Sequence, residues 1–219
     1  MRNFLVTDAI RDYAAQHGSW LPDDVVRDLQ AETEALGGVA GMQIGDDEGQ
    51  LLTMMARLVR ARQAVEVGTF TGYSSLCIAR GLADGGTLIC CDVSEEWTAI
   101  GRRAWDKSGV GDRIDLRIAP ALETLRAMPA DPVLDLVFID ADKPNYTAYW
   151  DELVPRVRPG GVLLADNVLW SGEIADESVS GENVDALRAF NERVAVDDRV
   201  EVVVLTAFDG LTIARKLDA

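Results

Sequence analysis

Residues 64–76 read AVEVGTFTGYSSL, and this stretch indicates the fold of the whole chain. Its first five residues, AVEVG, form an apolar run that predicts a short buried strand. Gly68 and Gly72 then allow a tight turn, and a helix-like segment starts at Ser74. A strand, a glycine-rich turn and a helix in this order predict one unit of a parallel α/β sheet with a ligand site at the turn.

Four further apolar runs follow, and segments long enough for a crossover helix separate them. The runs are TLICCD (87–92), IDLRIA (114–119), LDLVFID (134–140) and GVLLAD (161–166). This alternation predicts a doubly wound, mostly parallel sheet that binds ligands at the carboxyl ends of its strands. Two more runs flank Asp209-Gly210 within residues 200–217, so a C-terminal antiparallel hairpin completes a seven-stranded α/β sheet.

The segment before the first strand reads as helical. Residues 21–36 begin with Pro22 and acidic side chains and end at Gly37-Gly38, which are typical helix boundaries. Residues 46–61 place Leu52, Met55 and Leu58 at helical spacing, which predicts a core-facing helix. We therefore expect a single domain over 1–219, with an N-terminal helical layer (1–62) on an α/β core (63–219).

Composition excludes several classes of protein. The chain has 219 residues, a formal charge of −16 and 48% apolar residues, without an apolar run long enough to span a membrane. The negative charge and scattered cations disfavour a nucleic-acid partner. Three cysteines without metal-type spacing predict a cytoplasmic protein without zinc or disulfides. His17, the sole histidine, lies in a polar segment and is expected at the surface.

The glycine-rich turn carries groups suited to a small nucleotide-like ligand. Ser74 offers a hydroxyl beside unpaired backbone N–H groups, which suits a carboxylate. Glu66 suits a ligand ammonium group. Asp92 ends the second strand, where a carboxylate can accept hydrogen bonds from both hydroxyls of a ribose. A ribose without a pyrophosphate predicts S-adenosylmethionine as the cofactor.

Two alternatives stay open at this point. An NAD-dependent dehydrogenase would be expected to carry G-x-G-x-x-G, whereas Gly68 and Gly72 have G-x-x-x-G spacing. In a purely structural interpretation, the two glycines only shape a turn and Asp92 only caps the next helix. The occurrence of all three features at the ends of consecutive strands favours the nucleotide site.

Acidic and amide side chains follow the fourth and fifth strands. Asp140 ends the run 134–140, and Asp166 and Asn167 end the run 161–166. Neighbouring strands lie about 4.8 Å apart, so these oxygens can converge if the two strands are adjacent. Two carboxylates repel each other unless a cation lies between them. The oxygen-only set predicts Mg²⁺ or another hard divalent cation such as Ca²⁺ or Mn²⁺. In the alternative interpretation, Asp166 and Asn167 are only polar residues at the end of a strand and bind no metal.

A metal at this position predicts the acceptor and the reaction. It can bind two adjacent hydroxyl oxygens, orient them and acidify the attacking one, so we expect a small catechol-like phenolic acceptor. Lys143, close to the metal and to the sulfonium, would be favoured as a neutral amine and is the predicted general base beside Asp140. The alternative is a solvated ion pair between Asp142 and Lys143. Trp170 is expected to pack in the protein and is a candidate wall for the acceptor.

Several motifs in fixed order resemble one known family. They are GMQIGDDEGQLL (41–52), VEVGTFTGYSSL (65–76), Asp92, FIDADKPNY (138–146), LLADNVLW (163–170) and DGLTIARK (209–216). Together they resemble the cation-dependent class I O-methyltransferases, the group of catechol and caffeoyl-CoA O-methyltransferases, over nearly the whole chain. The resemblance implies an S-adenosylmethionine-dependent O-methyltransferase with a Rossmann-like fold.

The resemblance also implies residue roles and an assembly. It assigns the metal to Asp140, Asp166 and Asn167 and catalysis to Lys143. It assigns the cofactor to Ile44, Glu66, Gly68, Thr69, Ser74, Asp92, Ala121 and Asp142. It implies a homodimer. The segment 171–183 departs from the family pattern, notably at Ser171, and is the kind of loop that shapes acceptor choice. A non-catalytic S-adenosylmethionine-binding module is the alternative function.

Overall fold

A computed structural model describes residues 6–18 and 22–218. Its centre is a seven-stranded sheet with the order β3-β2-β1-β4-β5-β7-β6, in which β7 runs antiparallel to both of its neighbours. The strands are β1 (Gln63–Val67), β2 (Thr87–Asp92), β3 (Ile114–Ile118), β4 (Leu134–Ile139), β5 (Val157–Ala165), β6 (Val200–Leu205) and β7 (Leu211–Lys216). The predicted doubly wound sheet and its antiparallel C-terminal hairpin are confirmed.

Helices cover both faces of this sheet. Those in the described residues are α1 (Asp8–His17), α2 (Asp24–Glu34), α3 (Asp46–Leu58), α4 (Tyr73–Gly81), α5 (Glu95–Lys107), α6 (Ala121–Ala127), α7 (Tyr146–Leu153) and α8 (Glu182–Ala195), with short 3-10 turns between them. All six residues of β4 are buried. Val137 and Ile139 pack into the core on one face, and Leu136 and Phe138 pack on the other, because side chains alternate along a strand. A strand that is buried on both faces explains the unbroken apolar run.

The N-terminal helical layer is confirmed, with shifted helix ends. Residues 1–5 and 19–21 of the predicted layer lie outside the described residues. α2 begins at Asp24 because the Asp23 carboxylate caps it, accepting a 3.0 Å hydrogen bond from Val26 N. α3 buries Leu52, whereas the expectation for Leu58 is wrong, since this side chain is 69% exposed at the end of the helix.

The structure also tests the predictions for the histidine, the cysteines and a membrane span. His17 is exposed and stacks on Tyr13, with ring centroids 4.0 Å apart. The three cysteines are free and buried. Within the described ranges, every helix is too short or too polar to cross a bilayer.

The turn of the C-terminal hairpin packs on the loop that follows β5. Val168 N donates to Gly210 O at 3.0 Å, and Leu169 N donates to Asp209 O at 3.0 Å. Gly210 has a φ of +89°, and a methyl group at this position would lie 2.3 Å from Leu169 Cγ. The hairpin therefore fixes the start of the segment between β5 and α8.

Candidate active site

A cavity of about 1180 Å³ opens at the carboxyl ends of β1, β2, β4 and β5. Its position agrees with the rule that doubly wound sheets bind ligands where the strand order reverses, here between β1 and β4. Its volume exceeds that of a usual single-ligand pocket, so a cofactor and an acceptor can both fit. The predicted site residues that line it are Ile44, Gly68, Thr69, Ser74, Asp92, Ala121, Asp140, Asp142, Lys143, Asp166 and Asn167.

The turn after β1 brings the first strand close to the fourth. Gly68 has a φ of +92°, and a Cβ built on it would lie 1.8 Å from the backbone oxygen of Asp140. Gly72, with a φ of +81°, precedes α4 and leaves a methyl group no room beside Trp105. Only glycine fits at either position, since φ is positive and the neighbouring atoms are already in contact.

Asp92 organises the glycine-rich turn. Its Oδ2 accepts hydrogen bonds from Thr69 N at 2.9 Å and Phe70 N at 2.8 Å. Its Oδ1 accepts from Ser94 N at 2.7 Å. Both oxygens therefore already contact backbone N–H groups, and Oδ1, which accepts a single hydrogen bond, keeps a lone pair that can accept from a ribose hydroxyl. The alternative interpretation of Asp92 as the cap of the next helix is wrong, because the N-cap residue of α5 is Ser94, whose side chain accepts from Trp97 N.

Glu66 is the predicted cofactor residue that does not line the cavity. Its side chain is 0% exposed and lies beneath the turn, where the Ser75 hydroxyl donates to Oε2 and Oε1 has no partner. Burial raises the pKa of Glu66 from 4.5 to about 7. Sequence reasoning missed Ser75, although its place on the buried face of α4 was a usable signal.

The other predicted cofactor residues surround the same space. Ile44 precedes α3 and packs against the core, while Ala121 begins α6. The Thr69 hydroxyl is buried and has no hydrogen-bond partner. Tyr149 OH donates to the Asp142 carboxylate and holds it at the cavity edge.

Strand pairing brings the three predicted metal ligands together. Ile139 of β4 pairs with Ala165 of β5, so Asp140 and Asp166 leave the sheet side by side. Asn167 follows with a φ of +58°, and its Nδ2 donates to Asp166 Oδ2 at 3.0 Å. Asp166 is 3% exposed and its Oδ1 has no partner. Two carboxylates, one of them with an unpartnered buried oxygen, and one amide oxygen fit a hard divalent cation.

Lys143 faces this oxygen set. Its side chain is 8% exposed, and Nζ donates to Asp140 Oδ1 at 3.1 Å, Asn167 Oδ1 at 2.7 Å and Tyr146 OH at 2.7 Å. Three acceptors match the three protons of an ammonium group. Tyr146 OH in turn donates to Asp166 O at 3.1 Å, and burial raises the pKa of this phenol far above its usual range, so the phenol stays protonated.

Glu48 also lines the cavity, and sequence reasoning did not single it out. It lies in the first turn of α3 and is 2% exposed. Burial and the charges of Asp166 and Asp140 raise the pKa of its carboxyl. Burial and Asp140 act in the same direction on the pKa of Asp166. In residues 6–18 and 22–218, no three His, Cys, Asp or Glu side chains lie close enough to hold an ion directly.

Trp170, in the segment after the metal-ligand candidates, lines the cavity. Trp170, Ser171 and Gly172 all have positive φ values. Arg188 of α8 fixes the next part of this segment by donating to four backbone oxygens, those of Glu173, Ile174, Asp176 and Val179. Trp170 lies partly buried at the cavity, and Lys143 Nζ is 6.0 Å from its ring centroid.

A family model described as O-methyltransferase matches residues 16–217. The chain belongs to the O-methyltransferase family. The predicted membership and the prediction of an S-adenosylmethionine-dependent O-methyltransferase are confirmed. The family assignment decides against the NAD-dependent dehydrogenase and against the non-catalytic binding module.

Individual relatives of this O-methyltransferase agree with the assignment. Mouse catechol O-methyltransferase domain-containing protein 1 is 40% identical over 174 residues, which are 78% of this chain and 66% of the mouse protein. Maize caffeoyl-CoA O-methyltransferase 2 is 38% identical over 80% of this chain and 70% of its own. The crystal structure of the Streptomyces achromogenes O-methyltransferase TomG in complex with SAM superposes with a TM-score of 0.87 at 26% identity, covering 96% of both chains.

Proposed function

We propose that this O-methyltransferase transfers a methyl group to a hydroxyl of a small acceptor that carries two adjacent hydroxyls, with the help of a divalent cation. The observation that carries the proposal is the side-by-side exit of Asp140 and Asp166 from β4 and β5, with the buried Asp166 Oδ1 lacking a partner. These groups share one cavity with the glycine-rich turn. The cofactor, known to occupy the solved relative TomG, would lie on that turn.

Asp140, Asp166 and Asn167 would hold the cation. When bound, Mg²⁺ or a similar ion would orient the two acceptor oxygens and lower the pKa of the attacking one. Asn167 Oδ1 and Asp140 Oδ1 both accept from Lys143 Nζ, so these two oxygens lie close enough together to face a single cationic group. The all-oxygen chemistry favours Mg²⁺, Ca²⁺ or Mn²⁺ over softer metals.

We assign Lys143 to proton transfer. The side chain is buried and its ammonium group lies among Asp140, Asn167 and Tyr146, at the side of the cavity where the acceptor oxygens would be bound. Lys143 would accept the hydroxyl proton as a neutral amine, after its own extra proton has passed to solvent water, and Tyr146 OH remains its hydrogen-bond partner. The roles of Ile44, Glu66, Gly68, Thr69, Ser74, Asp92, Ala121 and Asp142 in cofactor binding are part of the same proposal.

The charges of the cavity favour an uncharged or cationic acceptor. Among the described residues that line it, Lys143 is the one cation, whereas the carboxylates are Asp47, Glu48, Asp92, Asp140, Asp142, Asp166 and Asp209. Such a lining repels the phosphates of a coenzyme A thioester. Trp170 and Phe208 offer flat apolar surfaces for a ring. We therefore propose a free catechol-like phenol as the acceptor.

The test is transfer of labelled methyl from S-adenosylmethionine to matched acceptors, with Mg²⁺ and with EDTA. The acceptors are a neutral catechol, a catecholamine, a catechol carboxylate and its coenzyme A thioester. We expect transfer to the first two that EDTA and Asp140→Asn abolish, whereas Asp131→Asn, an exposed carboxylate away from the cavity, leaves the rate unchanged. Transfer that persists in EDTA would refute the metal. A preference for the thioester would refute the proposed acceptor.

We also propose a homodimer in the cytoplasm. The edge strand β6 exposes Val202, Val203 and Val204, and an apolar edge strand calls for a covering partner. Light scattering of the purified protein tests the assembly. A monomer at micromolar concentration would refute it.

A further inference from the structure

Glu48 is a buried carboxylate without a compensating partner. It lies one helical turn before Leu52, whose side chain is fully buried, so the face of α3 that packs on the sheet also carries Glu48. Its backbone N–H donates to Asp47 Oδ1 at 3.1 Å. Its Oε1, in contrast, has no hydrogen-bond partner. Because a buried ionised oxygen without a partner is costly, this side chain calls for a ligand.

The neighbours of Glu48 indicate the charge of that ligand. Glu48, Asp140 and Asp166 line the same part of the cavity, and Lys143 supplies the cation nearest to them. With all three carboxylates ionised, Lys143 leaves two negative charges uncompensated. A divalent cation carries the charge that this cluster lacks.

We infer that Glu48 is a positioning carboxylate of the metal centre, which accepts hydrogen bonds from the water shell of the divalent cation. A water-mediated role follows because no three carboxylates of the described chain lie close enough together to ligate one ion directly. The inference rests on the proposed metal-dependent function. It adds α3 of the N-terminal layer to a centre otherwise built from the ends of β4 and β5.

The first measurement is Mn²⁺ affinity without cofactor, from the free-ion electron paramagnetic resonance signal. Glu48→Gln should weaken binding by about tenfold or more, as losing an outer-shell partner of a metal does. Glu48→Asp, which keeps the charge, should stay within about threefold of the parent. The matched control is Glu123→Gln, which changes an exposed glutamate in the first turn of α6 and should bind like the parent. Asp166→Asn, which removes a proposed direct ligand, should abolish Mn²⁺ binding.

Thermal unfolding separates this role from a structural one. In EDTA, Glu48→Gln should unfold at or above the temperature of the parent, because repulsion by Asp140 and Asp166 is relieved. In Mn²⁺ it should gain less stability than the parent, since ligand stabilisation follows affinity. A Glu48 that merely supported the fold would lower the unfolding temperature equally in both buffers, which would overturn the inference.

The outcomes distinguish the inference from the proposal beneath it. If the parent binds Mn²⁺, Asp166→Asn does not and Glu48→Gln binds like the parent, the role of Glu48 is wrong and the metal-dependent function stands. Equal losses in Glu48→Gln and Glu48→Asp would also overturn it, because charge would not be the cause. If the parent itself fails to bind Mn²⁺, the proposed function fails first.

Discussion

Replacing Glu66 by glutamine should stabilise the protein at alkaline pH. The carboxyl is fully buried under the glycine-rich turn, and burial raises its pKa from 4.5 to about 7. Between these two values the folded protein holds a proton at Glu66 that the unfolded chain has released. Stability from this group is thus complete below pH 4.5 and is lost as the pH rises through 7. Glutamine keeps the shape and removes the titration.

The size of the effect follows from the two pKa values. Each pH unit of difference corresponds to about 1.4 kcal/mol, so the ionised carboxylate costs about 3 kcal/mol in total. From about pH 5.5 to about pH 8, the parent should lose about 2 kcal/mol more free energy of unfolding than Glu66→Gln. Urea unfolding of both proteins in EDTA at these two pH values measures the difference, with Glu123→Gln as the exposed control.

Two results would refute this reasoning. Parent and variant with the same pH dependence, to within about 0.5 kcal/mol, would mean that Glu66 does not titrate in this range. A variant less stable than the parent at about pH 8 would mean that the carboxylate is stabilised by contacts beyond Ser75. Calorimetry with S-adenosylhomocysteine adds a functional readout. A loss of about tenfold or more in Glu66→Gln is expected if Glu66 accepts a hydrogen bond from the cofactor ammonium group.

Three further substitutions test other parts of the site. Gly68→Ala should lower the free energy of unfolding by about 3 kcal/mol or more, because its methyl group meets Asp140 O and its φ is positive. The control Gly85→Ala, with a φ of +72° and open space around it, should lower it by about 1 kcal/mol, and equal losses in thermal unfolding would contradict the clash. Asp92→Asn should weaken S-adenosylhomocysteine binding about tenfold in calorimetry. An amide cannot accept hydrogen bonds at both ends, as the Asp92 carboxylate does from Thr69, Phe70 and Ser94, and unchanged affinity would argue against a ribose at Asp92. Arg188→Lys should speed hydrogen exchange about tenfold or more in residues 173–179, because an ammonium group cannot reach the four carbonyls that the guanidinium contacts. Exchange at the rate of the parent would show that other contacts hold this loop.

The sheet could be predicted because its determinants are local in the sequence. Apolar runs such as residues 134–140 indicate a strand that is buried on both faces, and glycine at position 68 indicates a turn that needs a positive φ. Convergence of Asp140 and Asp166 needed one extra assumption, that their strands are neighbours. The strand order supplies it.

The features that were missed depend on directions that spacing alone does not give. Glu66 alternates with Val65 and Val67 along β1, which turns its side chain away from the cavity towards Ser75. Glu48 lies in the first turn of α3 together with Asp46 and Asp47, and only the packing of the helix shows which of these three carboxylates is buried. The exposure of Leu58 has the same cause, since α3 ends before its last turn is covered.

The contact between the hairpin turn and the loop after β5 sets an order of events during synthesis. Strands β1 to β5, which carry the glycine-rich turn and the proposed metal ligands, are synthesised before residues 200–216. Asp209 and Gly210 then supply the backbone acceptors for Leu169 and Val168. The position of Trp170 at the cavity therefore depends on the segment of the sheet that is synthesised last, whereas the glycine-rich turn depends on contacts with β2 and with the end of β4.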